Sequence, residues 1–317
     1  MIVRPEIAAL RDNDVPQRQA QDALHAAAVE WRGQSANSAI LADFRRFAEG
    51  NALEDCPALA ALFVGGTPTA RGFAHGFVGH FAPALAAHPL AHMPQRHFHD
   101  AMTSTLALAR HGPATLTLLA IDGTRSGTRA AAHASFWPGE AWETFLAGRA
   151  RGEIVRRTSD GGPPRRRAID VAPMTVITRD AAREALVLCS VSGLLVSLRL
   201  QRRASDGRVA EEVALATGEV VHRAAGSPRD SRLELMMATL GRMEWQSAAP
   251  HCAAIALSQA SASLRWQALR ETLALDTATG LRTLTELADR DDDPLQQSAF
   301  ALQQQLIARH PQLAGGL

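Results

Sequence analysis

The feature that most constrains the fold is a run of short β-rich segments in the middle of a chain that otherwise reads as helical. About ten such segments follow one another between residues 98 and 225, and glycine-containing turns, such as those at Gly193 and Gly218, separate them. Short strands joined by tight turns are typical of a sandwich or barrel, whereas parallel strands need longer crossover connections. The pattern predicts an antiparallel β unit whose core contains Leu116, Leu118, Leu186, Leu188, Val196 and Leu198.

Helical periodicity flanks the β-rich segment on both sides. Apolar residues recur at helical spacing over residues 20–31, 37–47 and 70–87, and again after residue 227. We therefore predict an α+β fold of three regions: a helical N-terminal region at residues 1–96, an antiparallel barrel or sandwich at 97–226, and a helical C-terminal cap at 227–317.

Two details of the helices give further predictions. Gly72, Gly76 and Gly79 recur within one helix, a pattern that favours close approach of another backbone. In the C-terminal region, Trp266, Leu269 and Leu273 form an apolar stripe, so Trp266 is predicted to be buried between helices.

The chain contains neither lysine nor tyrosine, so all 33 basic residues are arginine. This composition excludes a Schiff-base lysine, a lysine base, a tyrosine acid and a P-loop. A GC-rich genome is the simplest explanation of the bias. The three cysteines are far apart and form no CxxC pair, so neither a disulfide framework nor a structural zinc site is predicted.

The net charge and the hydropathy of the chain limit the kinds of partner that it can bind. The net charge of +1 provides no field for nucleic acid or an anionic membrane, and apolar stretches fall short of the ~18 residues of a membrane span. Residues 1–6 combine charge and proline, which is unlike a signal peptide, so we expect a cytoplasmic protein. The segment Ser159–Arg167, rich in glycine, proline and arginine, is predicted to be an exposed loop that folding does not require.

Six of the twelve histidines lie between residues 75 and 99. Most have spacings that suit surface or interface positions. His97 and His99 differ, because residues two apart on a strand share a face and both imidazoles could meet one metal ion. Neutral imidazole suits iron, copper or zinc, and a carboxylate would complete a set of three ligands.

The His97-Phe-His99 pair and the strand-like segments after it resemble the cupin family, a double-stranded β-helix barrel. A second segment, from His133 to Gly148, looks like a cupin strand, turn and strand. The resemblance implies a metal held by His97, His99 and His133, with Glu140 or Glu143 supplying a carboxylate. No glutamate follows His99 at the family's spacing, and no histidine lies in residues 184–200. At the C-terminus, residues from Asp291 to Pro311 resemble a helical hairpin of HEAT-type repeats.

Two functional hypotheses remain open. The first is a mononuclear cupin-type enzyme, a non-haem iron oxygenase or an isomerase, acting on a small molecule through His97, His99, His133, Glu140 and Glu143. Another first-row metal is an alternative to iron. The second is a non-catalytic ligand-binding or scaffold protein with a degenerate barrel, a ligand pocket beside Trp137 and Trp142, and helices that bind a partner. Homo-oligomerisation is compatible with both.

Overall fold

The computed structural model of the chain describes residues 13–124, 131–159, 161–204, 208–224 and 228–311. These residues form two compact units. The first consists of the described residues within Met1–Arg203 and Glu212–Val221, and the second of those within Ala204–Glu211 and His222–Leu317.

Among the described residues, the first unit begins with four α-helices. They are α1 (Val15–Gly33), α2 (Ser35–Ala48), α3 (Pro57–Ala60) and α4 (Thr69–Ala87), and short 3₁₀ turns at Leu53–Asp55 and Ala61–Phe63 flank α3. Apolar residues three or four apart give α1 its buried stripe of Ala20, Leu24, Ala28 and Trp31. The ring of Trp31 packs against Phe73 and Phe77 of α4, with centroids 5.3 and 5.1 Å away. Aromatic packing therefore joins the first and last of these helices.

The glycines of α4 do not have the predicted role. A Cβ atom added at Gly72, Gly76 or Gly79 would meet nothing within 4 Å beyond the helix's own backbone. The prediction of close backbone approach was therefore wrong, because the helix buries its phenylalanine face and leaves these glycines beside open space.

In the part of the chain that the structure describes, ten β-strands follow α4 and form two sheets. The strands are β1 (His97–His99), β2 (Thr103–His111), β3 (Ala114–Asp122), β4 (His133–Phe136), β5 (Gly139–Arg156), β6 (Arg165–Val171), β7 (Val176–Asp180), β8 (Glu184–Arg203), β9 (Ala210–Ala214) and β10 (Val220–Ala224). A seven-stranded sheet has the order β1-β2-β3-β8-β5-β6, with β7 paired to β5, and a three-stranded sheet has the order β10-β9-β4. The mixture of helices and antiparallel sheet agrees with the predicted class. In the described residues the larger sheet is open, with β1 and β6 at the two ends of its order, so no closed barrel is formed.

Two strands are much longer than the sequence predicted, because glycines bend them instead of ending them. Gly148 within β5 and Gly193 within β8 have φ angles of +86° and +65°, which favour glycine. A Cβ atom at Gly148 would lie 2.3 Å from the carbonyl oxygen of Leu194. The predicted turn at Gly193 was therefore wrong, and β8 continues through it.

The segment predicted as the loop Ser159–Arg167 is also partly strand. Residues 165–167 begin β6, where Arg165, Arg166 and Arg167 pair with residues 156, 155 and 154 of β5. Arg166 Nε lies 2.6 Å from Glu153 Oε2. Position 160 lies outside the described residues. All three arginines are exposed on this edge strand, which explains how the arginine-rich segment is accommodated without a core of its own.

The two faces of the larger sheet have different environments. One face packs against α1–α4 and contributes Leu108, Leu116, Leu146, Leu198 and Leu200 to a shared core. Arg202 joins the same layers: its Nη1 donates to the carbonyl oxygens of Phe47 and Asn51, and its guanidinium carbon is 4.2 Å from the Phe47 ring centroid. Of the predicted core, Leu116 and Leu198 are fully buried, and the other four residues are partly buried.

The second unit is helical. It contains α5 (Pro228–Arg242), α6 (Ala249–Ala256), α7 (Ala262–Leu275), α8 (Thr277–Ala288) and α9 (Gln296–Arg309). Leu264 and Leu269 of α7 are fully buried with Leu284 and Leu287 of α8, whereas Trp266 is only partly buried. The buried stripe therefore begins at Leu264, and Trp266, which was predicted to be buried between helices, packs against this core but is only partly buried. No helix in the described ranges is long and apolar enough to cross a membrane.

Candidate functional site

The predicted metal ligands His97 and His99 lie on the edge strand β1. They face residues 106 and 104 of β2, and both side chains are exposed. His97 Nδ1 is 3.0 Å from the carbonyl oxygen of Gln95, and His99 Nδ1 is 2.8 Å from Ser104 Oγ.

His133 is not part of the same group. It lies in β4 of the three-stranded sheet, where its Nδ1 is 3.7 Å from Glu212 Oε1. Among the residues that the structure describes, no three His, Cys, Asp or Glu side chains are grouped so that they could hold a metal ion. The predicted set of His97, His99 and His133 is therefore divided between two sheets and does not fit a mononuclear iron centre.

Glu140, one of the two predicted catalytic carboxylates, is an anchoring residue in this structure. Its Oε2 accepts a hydrogen bond of 2.8 Å from Arg202 Nη2, and its side chain is 48% exposed. Arg202 in turn binds the end of α2 through the carbonyl oxygens of Phe47 and Asn51. The contacts of Glu140 thus orient an arginine that joins helix to sheet.

Glu143 has a very different environment. It points away from the helix-covered face of the sheet, and its side chain is 1% exposed. Ser197 Oγ donates to Oε1 at 2.6 Å, and Arg199 donates from Nε to Oε2 at 3.1 Å and from Nη2 to Oε1 at 3.0 Å. Ser197 and Arg199 reach Glu143 because residues two apart on β8 share a face and Arg199 lies directly opposite Glu143 in register.

The charges around Glu143 decide its protonation state. Burial by itself would raise the pKa of the carboxyl group. The charge and hydrogen bonds of Arg199, the Ser197 hydroxyl and the charge of Arg179 outweigh burial, so the pKa lies below its ordinary value. Glu143 is therefore an ionised, buried carboxylate.

Arg179 of β7 completes a group that we call the interior cluster: Glu143, Arg179, Ser197 and Arg199. Its Nη2 is 3.7 Å from Glu143 Oε2, too far for a hydrogen bond, and its side chain is 9% exposed. Its Nε atom is buried and has no hydrogen-bond partner in the described part of the chain. Burial lowers its pKa to about 10, despite the attraction of Glu143, so the guanidinium remains protonated at neutral pH.

Sequence analysis selected Glu143 but missed its partners. The signal for two of them was present in β8, where Ser197 and Arg199 alternate with Leu198 and Leu200. A period of two places the polar pair on one face and the leucines on the other. Arg179 carried no such signal, because its approach to Glu143 depends on the pairing of β7 with β5.

In the described residues, Trp137 and Trp142 have different surroundings and do not line the predicted common pocket. Trp142 packs edge-on against Phe47, with centroids 5.4 Å apart, as part of the core between helices and sheet. The guanidinium of Arg203 lies 5.3 Å from the Trp137 ring centroid. A polar pocket of about 360 Å³ instead lies on the β5, β6 and β8 surface and is lined by Arg149, Ala150, Arg151, Asp170, Val171, Ala172, Ser190 and Ser192.

Comparisons with known proteins give only distant matches. No protein-family model matches the sequence, and no curated protein does. Among solved structures, a cupin superfamily protein from Desulfitobacterium hafniense is 13% identical, over 34% of this chain and 83% of that one, with a TM-score of 0.24. The 7S globulin of Momordica charantia is 9% identical over 38% and 35% of the two chains, with a TM-score of 0.28. Oxalate decarboxylase from Lactobacillus farciminis is 12% identical over 35% and 31%, with a TM-score of 0.26.

The chain spans about a third of the globulin and of the decarboxylase. TM-scores of this size do not assign a function to any residue of the chain.

Proposed function

We propose that the first unit of this chain is a small-molecule-binding module that recognises its ligand through the interior cluster. The proposal follows the second hypothesis of the sequence analysis, a degenerate barrel that binds a ligand. Its main support is a single observation: an ionised carboxylate and two arginines lie on a sheet face where apolar residues would pack at lower cost.

The residues next to the interior cluster are apolar, in contrast to the polar side chains of the cluster itself. Two residue pairs along the strands from Glu143 and Arg199, Phe145 lies opposite Ser197 and belongs to an apolar group with Ala150, Val171 and Leu195. Buried ionisable groups with shifted pKa values are concentrated at functional sites, and both Glu143 and Arg179 have such shifts. We infer that recognition, rather than stability, accounts for the cluster.

A ligand screen with localisation tests the proposal. The full chain, prepared without a histidine tag, would be heated with small acids, amides, amines and sugars, and compounds that raise the melting temperature would be examined by hydrogen exchange. We expect at least one compound to slow exchange at residues 141–145 and 196–200 and to leave β10 unchanged. If none of the compounds does so, the binding-module proposal is wrong.

Metal analysis of the same preparation tests the competing enzyme hypothesis. Growth in iron-supplemented medium should leave the protein without stoichiometric iron, since the described residues contain no group of three His, Cys, Asp or Glu side chains that could hold a metal ion. Near-stoichiometric iron or another first-row metal that is lost in His97→Ala would favour the metal-enzyme hypothesis instead. The distribution of His97, His99 and His133 over two sheets makes us prefer the binding module.

A further inference from the structure

The hydrogen bonds of the interior cluster are unevenly distributed. Arg199 uses its Nε and Nη2 atoms on the two carboxylate oxygens of Glu143, and Ser197 adds a third hydrogen bond. Glu143 is therefore satisfied without Arg179. Arg179 makes one ion pair at 3.7 Å and leaves its buried Nε without a partner.

An open donor on a buried guanidinium is unusual. Nearly all buried polar groups in proteins have hydrogen-bond partners, and a charged group without them is costly. The protein nevertheless keeps Arg179 charged, because its pKa of about 10 lies well above neutral pH. A bound group with acceptor oxygens would remove this cost.

Positive charges also outnumber negative charges in the interior cluster. The cluster holds two guanidinium groups and one carboxylate. Glu184 is close enough to raise the pKa of Arg179, but it lies at the start of β8, its side chain is 28% exposed, and its Oε1 is 3.9 Å from Arg156 Nε. Within the buried cluster itself, one positive charge is unmatched.

From the open donor and the unmatched charge, we propose that Arg179 binds the carboxylate of a small monocarboxylic acid. The proposal rests on the binding module proposed above and names its ligand class. A guanidinium edge presents parallel N–H groups that match the two oxygens of a carboxylate. A monoanion neutralises the excess charge, whereas a phosphate dianion would leave a buried negative charge.

The exposure of the cluster indicates the side of entry. The side chain of Arg199 is 29% exposed, that of Arg179 is 9% and that of Glu143 is 1%. Arg199 is therefore the charged member of the interior cluster that is most open to solvent and to an entering ligand.

Thermal titrations with matched probes test the proposal. The full chain would be titrated with sodium acetate and sodium butyrate, with the neutral acetamide and butyramide, and with sodium chloride and inorganic phosphate at equal ionic strength. We expect a saturable rise in melting temperature with the two carboxylates and none with the amides or chloride. Phosphate should bind more weakly than either carboxylate.

Substitutions connect the response to Arg179. Arg179→Met should weaken carboxylate binding at least about tenfold, since it removes charge-assisted hydrogen bonds. Arg179→Lys keeps the charge but loses the planar edge, so it should also weaken binding. The matched control is Arg183→Met, because the Arg183 side chain is 74% exposed and pairs with the exposed Asp180; it should respond like the unmodified protein.

The outcomes separate the two proposals. Amides that bind as well as carboxylates, stronger binding of phosphate, or a full carboxylate response in Arg179→Met would overturn the carboxylate assignment and leave the binding module standing. A lower melting temperature of unliganded Arg179→Met would mean that Arg179 is a structural residue, and the assignment would also fail. No response to the two carboxylates would overturn the carboxylate assignment, and no response in the wider ligand screen as well would overturn both proposals.

Discussion

Two buried arginines, one in each unit, have opposite hydrogen-bond environments. Arg265 of α7 is 4% exposed, and it donates from Nε to the carbonyl oxygen of Ala256 and from Nη2 to Asp293. The side chain of Arg179 in β7 is 9% exposed, and its buried Nε has no hydrogen bond. The difference teaches that burial of a charge does not define its role. An arginine with its donors paired holds a fold together, whereas one with open donors is available to a ligand.

The largest expected effect concerns the paired arginine. Arg265→Met leaves the Asp293 carboxylate, whose side chain is 10% exposed, without its cation and removes the partner of the Ala256 carbonyl. The free energy of unfolding should fall by about 3–5 kcal/mol. Urea unfolding followed by tryptophan fluorescence measures this, and Arg270→Met, at an exposed position of the same helix, is the control. A loss below about 1 kcal/mol would show that the pairing is not structural.

Arg199→Met should have the next largest effect. It removes two hydrogen bonds from a carboxylate that is 1% exposed, and Arg179 lies too close to leave Glu143 wholly unpaired. Because Arg199 is partly exposed, we expect a loss of about 2–3 kcal/mol in urea unfolding. Arg183→Met should change the stability by less than about 0.5 kcal/mol. Equal effects of the two substitutions would contradict the ion-pair geometry.

Acid should weaken the first unit through Glu143. The folded-state pKa of this carboxyl group is lowered by Arg199, Ser197 and Arg179 despite its burial. Its contribution to stability is therefore complete above the ordinary pKa of 4.5 and is lost as the pH falls through the lower folded-state value. Urea unfolding of the unmodified protein and Glu143→Gln at intervals from pH 6 to pH 3 measures it. The loss on acidification should be smaller in the variant; parallel curves would contradict the assignment.

The smallest expected effect has the opposite sign. Arg179→Met replaces a buried cation that lacks hydrogen bonds, and Glu143 keeps Arg199 and Ser197. Replacing buried ionic groups with apolar ones is often neutral or stabilising, so unliganded protein should gain about 1 kcal/mol. Urea unfolding in buffer without carboxylates measures the change. A clear loss of stability would place Arg179 in the same structural class as Arg265.

The sequence predicted the positions of the helices and strands better than it predicted where each strand ends. Periodicity placed the helices that flank the strands, because an apolar stripe every three or four residues is a local property. It divided β5 and β8 at glycines, because a positive φ at Gly148 or Gly193 bends a paired strand, and only the facing strand makes this visible. Trp266 is less buried than the sequence predicted for a similar reason, since its exposure depends on which helices surround it.

Of the residues in the candidate site, the sequence analysis selected one, Glu143. Glu143 was selected, together with Glu140, as a carboxylate implied by the resemblance to cupins, but the reason for its burial is a pair of arginines that β7 and β8 bring from 36 and 56 positions away. The histidine hypothesis rested on spacing within one strand, and spacing does not show that His133 belongs to another sheet. Contacts between distant strands carried the missing information in both cases.

The most direct test of the account observes the open donor itself. In protein labelled with ¹⁵N-arginine, the Nε–H resonances of Arg179 and Arg265 can be assigned by their loss in Arg179→Met and Arg265→Met. Titration with sodium acetate should shift the Arg179 resonance saturably and leave the Arg265 resonance unchanged, because only Arg179 has an unpaired Nε. An Arg179 resonance that does not move, or that moves no more than that of Arg265, would contradict the claim that this arginine is kept open for a carboxylate.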